Sequence, residues 1–199
     1  MGFSTLLDIL GSSIVGGMLL MILWRLTDAA TQNSFNYGGE VIVQQNLVEV
    51  VGLLEYDFKK IGYCKDWTKI PDPSKAILSA DSTSIKFLTD LDNNGVVDSL
   101  RYYLGPTSEL TSTPNPRDRM LYRIENANAP AGSNLGVTNF RLTYFDALGV
   151  KMNFPITTPS QIATMQIDLK IESTAAYNNE YPSVFWRQIR MTSRNLRNR

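Results

Sequence analysis

The chain has no histidine and a single cysteine, Cys64, among its 199 residues. Without histidine there is no Ser-His-Asp arrangement, no histidine general base and no histidine-ligated metal. One cysteine excludes an internal disulfide and a cysteine zinc cage. It leaves two readings for Cys64: a small buried apolar residue, or a bridge to another chain if the domain is exported. Net charge of one sign is also missing. Lys and Arg number 19 and Asp and Glu number 19, so no broad field points to nucleic acid or an acidic partner. GxSxG, P-loop and HExxH signatures are absent. The sequence therefore points away from an enzyme. Trp67, Trp186 and the tyrosines fit either strand and core packing or a carbohydrate-facing surface.

One thing is abundant: a long apolar run at the start. Phe3 to Trp24 spans about 22 residues with Asp8 as its one charge. At about 1.5 Å per residue, a helix of that length crosses a hydrocarbon core of about 30 Å. Only a helix satisfies its own backbone there, so the run reads as a single transmembrane helix. A secretory signal peptide fits less well, because no Lys or Arg precedes the run and no small-x-small site follows Trp24. A buried core helix would need a polar face that this stretch lacks. Gly11, Ser12, Ser13, Gly16 and Gly17 are small and admit close approach of another helix, although glycine and serine are also simply tolerated in membranes. Asp8 near a bilayer centre costs about 2.5 to 3.5 kcal/mol, which places it at an interface or opposite a cation.

The next segment keeps helix formers until Asn36-Tyr37-Gly38-Gly39. Adjacent glycines predict a kink or break near 36–39. From Glu40 the apolar positions Val43, Leu47, Val50, Leu54, Phe58 and Ile61 recur at spacings of three and four, the stripe of an amphipathic helix. Gly62 fits a left-handed cap at its end. These residues define an N-terminal unit, 1–64, whose outer half packs on the remainder, 65–199. The neighbours expected for the stripe include Val137, Phe140, Leu142 and Tyr144.

Beyond Lys65 the pattern alternates. Ser84–Asp90, Val97–Leu104, Arg119–Ile124, Val137–Phe145, Ala163–Ile171 and Ser183–Met191 read as strands of an antiparallel sheet. Residues 105–118, 125–136 and 177–182 read as loops, and Arg187, Arg190, Arg194, Arg197 and Arg199 mark a basic end, either a helical pattern or a strand running into a solvated tail. The fold class is α+β: a long N-terminal helix, membrane-inserted in its first half and amphipathic in its second, packed on an antiparallel β-sheet domain.

Asp90-x-Asp92-x-Asn94-Gly95-x-x-Asp98 sets oxygen ligands at alternate positions around a glycine turn. That is the opening half of a calcium loop, and Asp90, Asp92, Asn94 and Asp98 are its candidate ligands. The twelfth position of a full loop would be a bidentate acid and is Arg101, and strands rather than helices flank it. Asn-Gly between alternating runs also makes a tight hairpin without any metal. No other cofactor is indicated.

Several short motifs resemble the type IV pilin-like proteins, in the branch of minor pilins and type II secretion pseudopilins. Gly2-Phe3 resembles the junction that a prepilin peptidase cuts and methylates. Thr5-Leu6-Leu7-Asp8 resembles the acidic start of the family's helix, with the acid one position later than usual. Leu54-x-x-Asp57-x-x-x-x-Gly62-Tyr63 resembles the helix end, and Val137-x-x-Phe140-x-x-x-Tyr144-x-Asp146-x-x-Gly149 a strand and turn of that branch. The resemblance implies a structural subunit stored in the inner membrane and assembled with other pilin-like subunits into a filament. Gly2 and Phe3 would be the processing site, Asp8, Gly11, Gly16 and Gly17 the assembly positions, and the β domain periplasmic or extracellular. A membrane-tethered binding module on a helical stalk is the alternative. A membrane-anchored enzyme is a third reading, against which the missing motifs weigh.

Overall fold

The computed structural model of the chain describes residues 2–176 and 180–191. Helix α1 runs unbroken from Gly2 to Lys59, 58 residues. Of the kink or break expected near 36–39, the break is absent: the helix is continuous through it. Two glycines weaken a helix by about 1 kcal/mol each relative to alanine, which the helical segments on both sides outweigh. Gly39 also has a packing reason to lack a side chain: a Cβ there would sit 3.0 Å from Cγ of Pro182.

The end of α1 tightens and then reverses. The amides of Lys60 and Ile61 bond to the carbonyls of Asp57 and Phe58, and Gly62 follows at φ +72°. This is the left-handed cap that the sequence anticipates. The Gly62 amide donates to Leu88 O at 2.9 Å, so the cap is also a junction with the first sheet.

Five strands form that sheet in chain order: β1 (Ile77–Ala80), β2 (Ser84–Thr89), β3 (Asp98–Leu104), β4 (Leu121–Glu125) and β5 (Ala131–Ser133). Three more form a second: β6 (Val137–Phe145), β7 (Thr164–Glu172) and β8 (Ser183–Met191). Every pairing is antiparallel. The alternation that marked β2 in sequence is its burial pattern, with Ile85, Phe87 and Thr89 inward. Two strands were not anticipated: β1, and β5 inside the expected 125–136 loop. One antiparallel sheet was expected and two are present. They are joined where Leu142 N of β6 donates to Ser82 O at 2.7 Å and Arg119 N donates to Val137 O at 3.0 Å.

The outer half of α1 completes the core of both sheets. Val43, Val50, Leu54, Phe58 and Ile61 are buried, and Val137, Phe140, Leu142 and Tyr144 belong to the same apolar cluster. Leu47 is half-buried at its margin rather than inside it. Phe58 meets the rings of Phe87 and Tyr102 edge-on, at centroid distances of 5.6 and 5.5 Å. Full burial of side chains of this size gives about 1.5 to 3 kcal/mol each. Arg187 of β8 pairs with Asp168 of β7 at 2.5 Å. The remaining basic positions of the expected tail, Arg194, Arg197 and Arg199, and the side chain of Arg190, lie outside the described residues, as do Tyr177, Asn178 and Asn179 of the third expected loop.

Candidate functional site

The first half of α1 touches none of the β domain's core. It carries a continuous apolar stretch of membrane-spanning length, and none of that stretch is buried. From Phe3 to Leu26 the large apolar side chains are more than half exposed. Among the described residues one helix is thus long and apolar enough to span a membrane, which by length and composition alone is weak support for a single-pass protein. Four of its hydroxyls are turned back onto the backbone. Thr5 Oγ1 donates to Gly2 O, Ser12 and Ser13 Oγ both donate to Ile9 O, and Thr27 Oγ1 donates to Leu23 O, at 2.8 to 3.0 Å. Hydroxyls bonded this way leave no donor seeking water, as an apolar medium requires.

The expected assembly positions all lie on this bare segment. Added Cβ atoms at Gly11, Gly16 and Gly17 would meet nothing within 4 Å. Asp8, Ser12 and Gly16 follow one ridge of the helix at intervals of four. Ser13 and Gly17 follow the next. Gly2 and Phe3 begin the helix, and Phe3 is 82% exposed.

At the far end, the Asp90–Asp98 turn is closed by its own hydrogen bonds. Asp90 is buried, and its carboxylate accepts the amides of Lys65 and Gly95 at 3.0 Å and of Asn94 at 3.1 Å. Burial opposes its charge, but these backbone donors win and hold the carboxyl below its ordinary range. Asp92 accepts from Asn94, and Asp98 accepts from Leu91 N at 3.1 Å and Asn126 Nδ2 at 2.8 Å. The amide oxygen of Asn94 accepts from Val96 N at 2.6 Å. Asn93 and Gly95 take positive φ, as a tight turn demands. Asp90, Asp92 and Asp98 each bring one oxygen within 4.8 Å of the others. Those three carboxylates could share a hard cation, as an addition to a turn that needs none for closure. Asn94, the fourth expected ligand, has its oxygen committed to the backbone. Arg101, at the twelfth position, sets its guanidinium 5.0 Å from the Tyr103 ring centroid.

Cys64 lies beside this turn, buried, with Sγ 3.8 Å from Asp90 Oδ2. Burial pushes its thiol up, and the Asp90 charge adds to that. It has the surroundings of a packed thiol rather than an accessible bridge. Trp67 is 78% exposed, so core packing does not explain it, whereas Trp186 packs at the core margin.

The buried ionic cluster under the helix end was not foreseen. Asp57 is fully buried, and its carboxylate accepts from Tyr102 Oη at 2.5 Å, from Arg123 Nε at 2.7 Å and from Arg123 Nη2 at 3.3 Å. Arg123 also pairs with Glu125. Burial and the neighbouring Asp57 carboxylate push the Tyr102 phenol far up, so it stays a donor. Desolvation works against the Arg123 charge, but the hydrogen bonds to Asp57 and Glu125 more than restore it. The signal in the sequence was an aspartate inside an apolar stripe, one residue before Phe58. The arrangement is an acid held by two fixed donors, and it clamps helix to sheet. Tyr102 and Arg123 also line a mostly apolar cavity of about 180 Å³ with Leu53, Leu54 and Leu135.

Comparison of the chain with protein-family models, curated proteins and solved structures finds no match.

Proposed function

We propose that the chain is a non-enzymatic structural subunit of pilin-like type, anchored in a membrane by the first half of α1 and assembled with other subunits through it. One observation supports this most. A single continuous helix is bare and apolar for its first half and forms the domain's core in its second. A helix built this way ties a folded domain to an apolar medium without a flexible joint. Lipid supplies that medium before assembly, and the helices of neighbouring subunits supply it afterwards. In this reading the small residues Gly11, Gly16 and Gly17 admit the neighbouring helices, and Asp8 is neutralised among them. Gly2-Phe3 is the processing junction for a prepilin peptidase, and the β domain lies on the periplasmic or extracellular side of the inner membrane.

The test is to express the chain with a pilus or secretion assembly system and search sheared surface filaments and co-purified helix complexes for it. Recovery there supports the reading, and a purely monomeric membrane protein without pilin-like partners overturns it. The tethered binding module is separated from the subunit by Gly16→Leu and Gly17→Leu. A tether keeps its function with leucine at both positions, and a packed filament core does not.

A further inference from the structure

Two carboxyl groups are buried together at the end of β7, and only one of them is compensated. Glu172 is 2% exposed and accepts from Lys170 Nζ at 2.7 Å, Asn115 Nδ2 at 3.0 Å, and Arg117 Nε and Nη2 at 2.8 and 2.7 Å. Asp118 is 1% exposed, and neither of its carboxylate oxygens has a hydrogen-bond partner among the described residues. The Thr113 hydroxyl beside it is shared with the carbonyls of Leu110 and Asn115, at 3.0 and 3.3 Å, so it eases the Asp118 charge only in part. The charged groups acting on Asp118 are Glu172 from β7, which repels an anion, and Arg117 from its own loop, which is already spent on Glu172. An ionised carboxylate buried with no donor is costly, and such a group takes up a proton instead.

The segment carrying Asp118 is held at the end of β7 by Asn115 and Arg117 on Glu172, and further bonds meet at the same place. Asn115 Nδ2 also donates to Ser173 O at 3.1 Å, Arg119 N donates to Val137 O at 3.0 Å, and Tyr181 Oη donates to Pro114 O at 2.8 Å. Glu172 and Ser173 in turn line a cleft of about 330 Å³ against Gly38, Gly39, Ile42 and Asn46 of α1.

We propose that residues 113–118 form a proton-operated latch: Asp118 is buried as the neutral acid, and loss of its proton releases the segment from the end of β7 beside the middle of α1. Burial pushes the Asp118 carboxyl up and Glu172 pushes it the same way, while Thr113 and Arg117 pull back only in part. Glu172 is shifted oppositely: desolvation works against its charge, but Lys170, Asn115 and Arg117 hold it below the ordinary range. Environments that drive two neighbouring carboxyls apart in this way assign one proton to one of them. Because the closed form binds the proton more tightly than the open one, closure is favoured at low pH and weakens as pH rises toward the closed-state midpoint.

The experiment uses the full chain in detergent micelles. The Asp118 carboxyl carbon is titrated by NMR, and hydrogen exchange of the Asp118 and Arg119 amides is followed with pH after correction for intrinsic exchange. The expected midpoint lies above the ordinary carboxylate range of about 4. Between that value and the midpoint, local opening grows about tenfold per pH unit and then levels off. Asp118→Asn removes this slope. A midpoint in the ordinary range, or an unchanged slope in Asp118→Asn, overturns the latch. If Asp118→Asn does not fold, the carboxyl titration of the unaltered chain decides alone.

Discussion

Tyr102 donates its hydroxyl to the Asp57 carboxylate at 2.5 Å, across an interface that joins the end of the long helix to the middle of the first sheet. Arg123 holds the same carboxylate from the next strand, at 2.7 Å. Removing one partner of a buried pair strands the other charge, which costs about 3 to 5 kcal/mol. Arg123→Met is therefore expected to destabilise the β domain by about that much. Tyr102→Phe removes one hydrogen bond to a charged group and should cost about 1.5 to 3 kcal/mol. Urea denaturation of both variants and of the double variant checks this. The double variant should cost less than the two single ones added together, because both act on Asp57.

The two halves of α1 should respond differently to the same substitution. Leu54 is fully buried, and Leu54→Ala is expected to cost about 2 to 5 kcal/mol through lost transfer energy and a residual cavity. Leu19 and Leu20 are 56% and 69% exposed. Leu19→Ala and Leu20→Ala should leave the melting of the β domain unchanged and alter only membrane insertion or assembly. Thermal melts of the three variants in one detergent make the comparison. Equal losses for Leu54 and Leu19 would show that the helix does not divide its work in this way.

The contrast between elements that the sequence announced and those it hid has a physical cause. The Val43–Ile61 stripe and β6 were legible because repeated apolar spacing reports a buried face directly. β5, Ala131-Gly132-Ser133, has no strand-forming side chain. It exists because it pairs with β4, where Gly132 leaves room for the Tyr122 ring: an added Cβ would lie 2.7 Å from it. β1 is four residues with a register shift, too short to show a period. The Asp57–Arg123 clamp joins residues 66 positions apart, and no local pattern carries a pairing of that range. Asp118 read as an ordinary polar residue of a loop, since burial is decided by what folds over it.

Gly38 and Gly39 looked alike in the sequence and should behave differently. Nothing lies within 4 Å of a Cβ added at Gly38. Gly38→Ala therefore gains helix propensity without a clash and should stabilise by up to about 1 kcal/mol. At Gly39 the added Cβ meets the Pro182 ring at 3.0 Å. Gly39→Ala should gain less or nothing, and Gly39→Val should lose stability, because its branches add to that contact. Melting temperatures rank the three. A Gly39→Val variant as stable as Gly38→Ala would mean that the helix does not meet the start of β8 there.

The Asp90–Asp98 turn gives the last prediction, on acid and on metal. Asp90 accepts three backbone amides inside the fold, whereas Asp92 is exposed and, among the described residues, accepts from Asn94. Asp90→Asn replaces one acceptor oxygen by a donor facing those amides and should lower the melting temperature clearly. Asp92→Asn should lower it little. The Asp90 carboxyl is held below its ordinary value, so its contribution is complete above that value and is lost as pH falls through the folded midpoint. The gap between the unaltered chain and Asp90→Asn should thus narrow in acid. Because the turn closes on its own amides, a chelator should leave this gap unchanged at neutral pH. An ion shared by Asp90, Asp92 and Asp98 would show a separate signature, a rise in melting temperature with millimolar calcium that Asp92→Asn abolishes. If chelation alone lowers the melting temperature as far as Asp90→Asn does, the metal rather than the amides holds the turn.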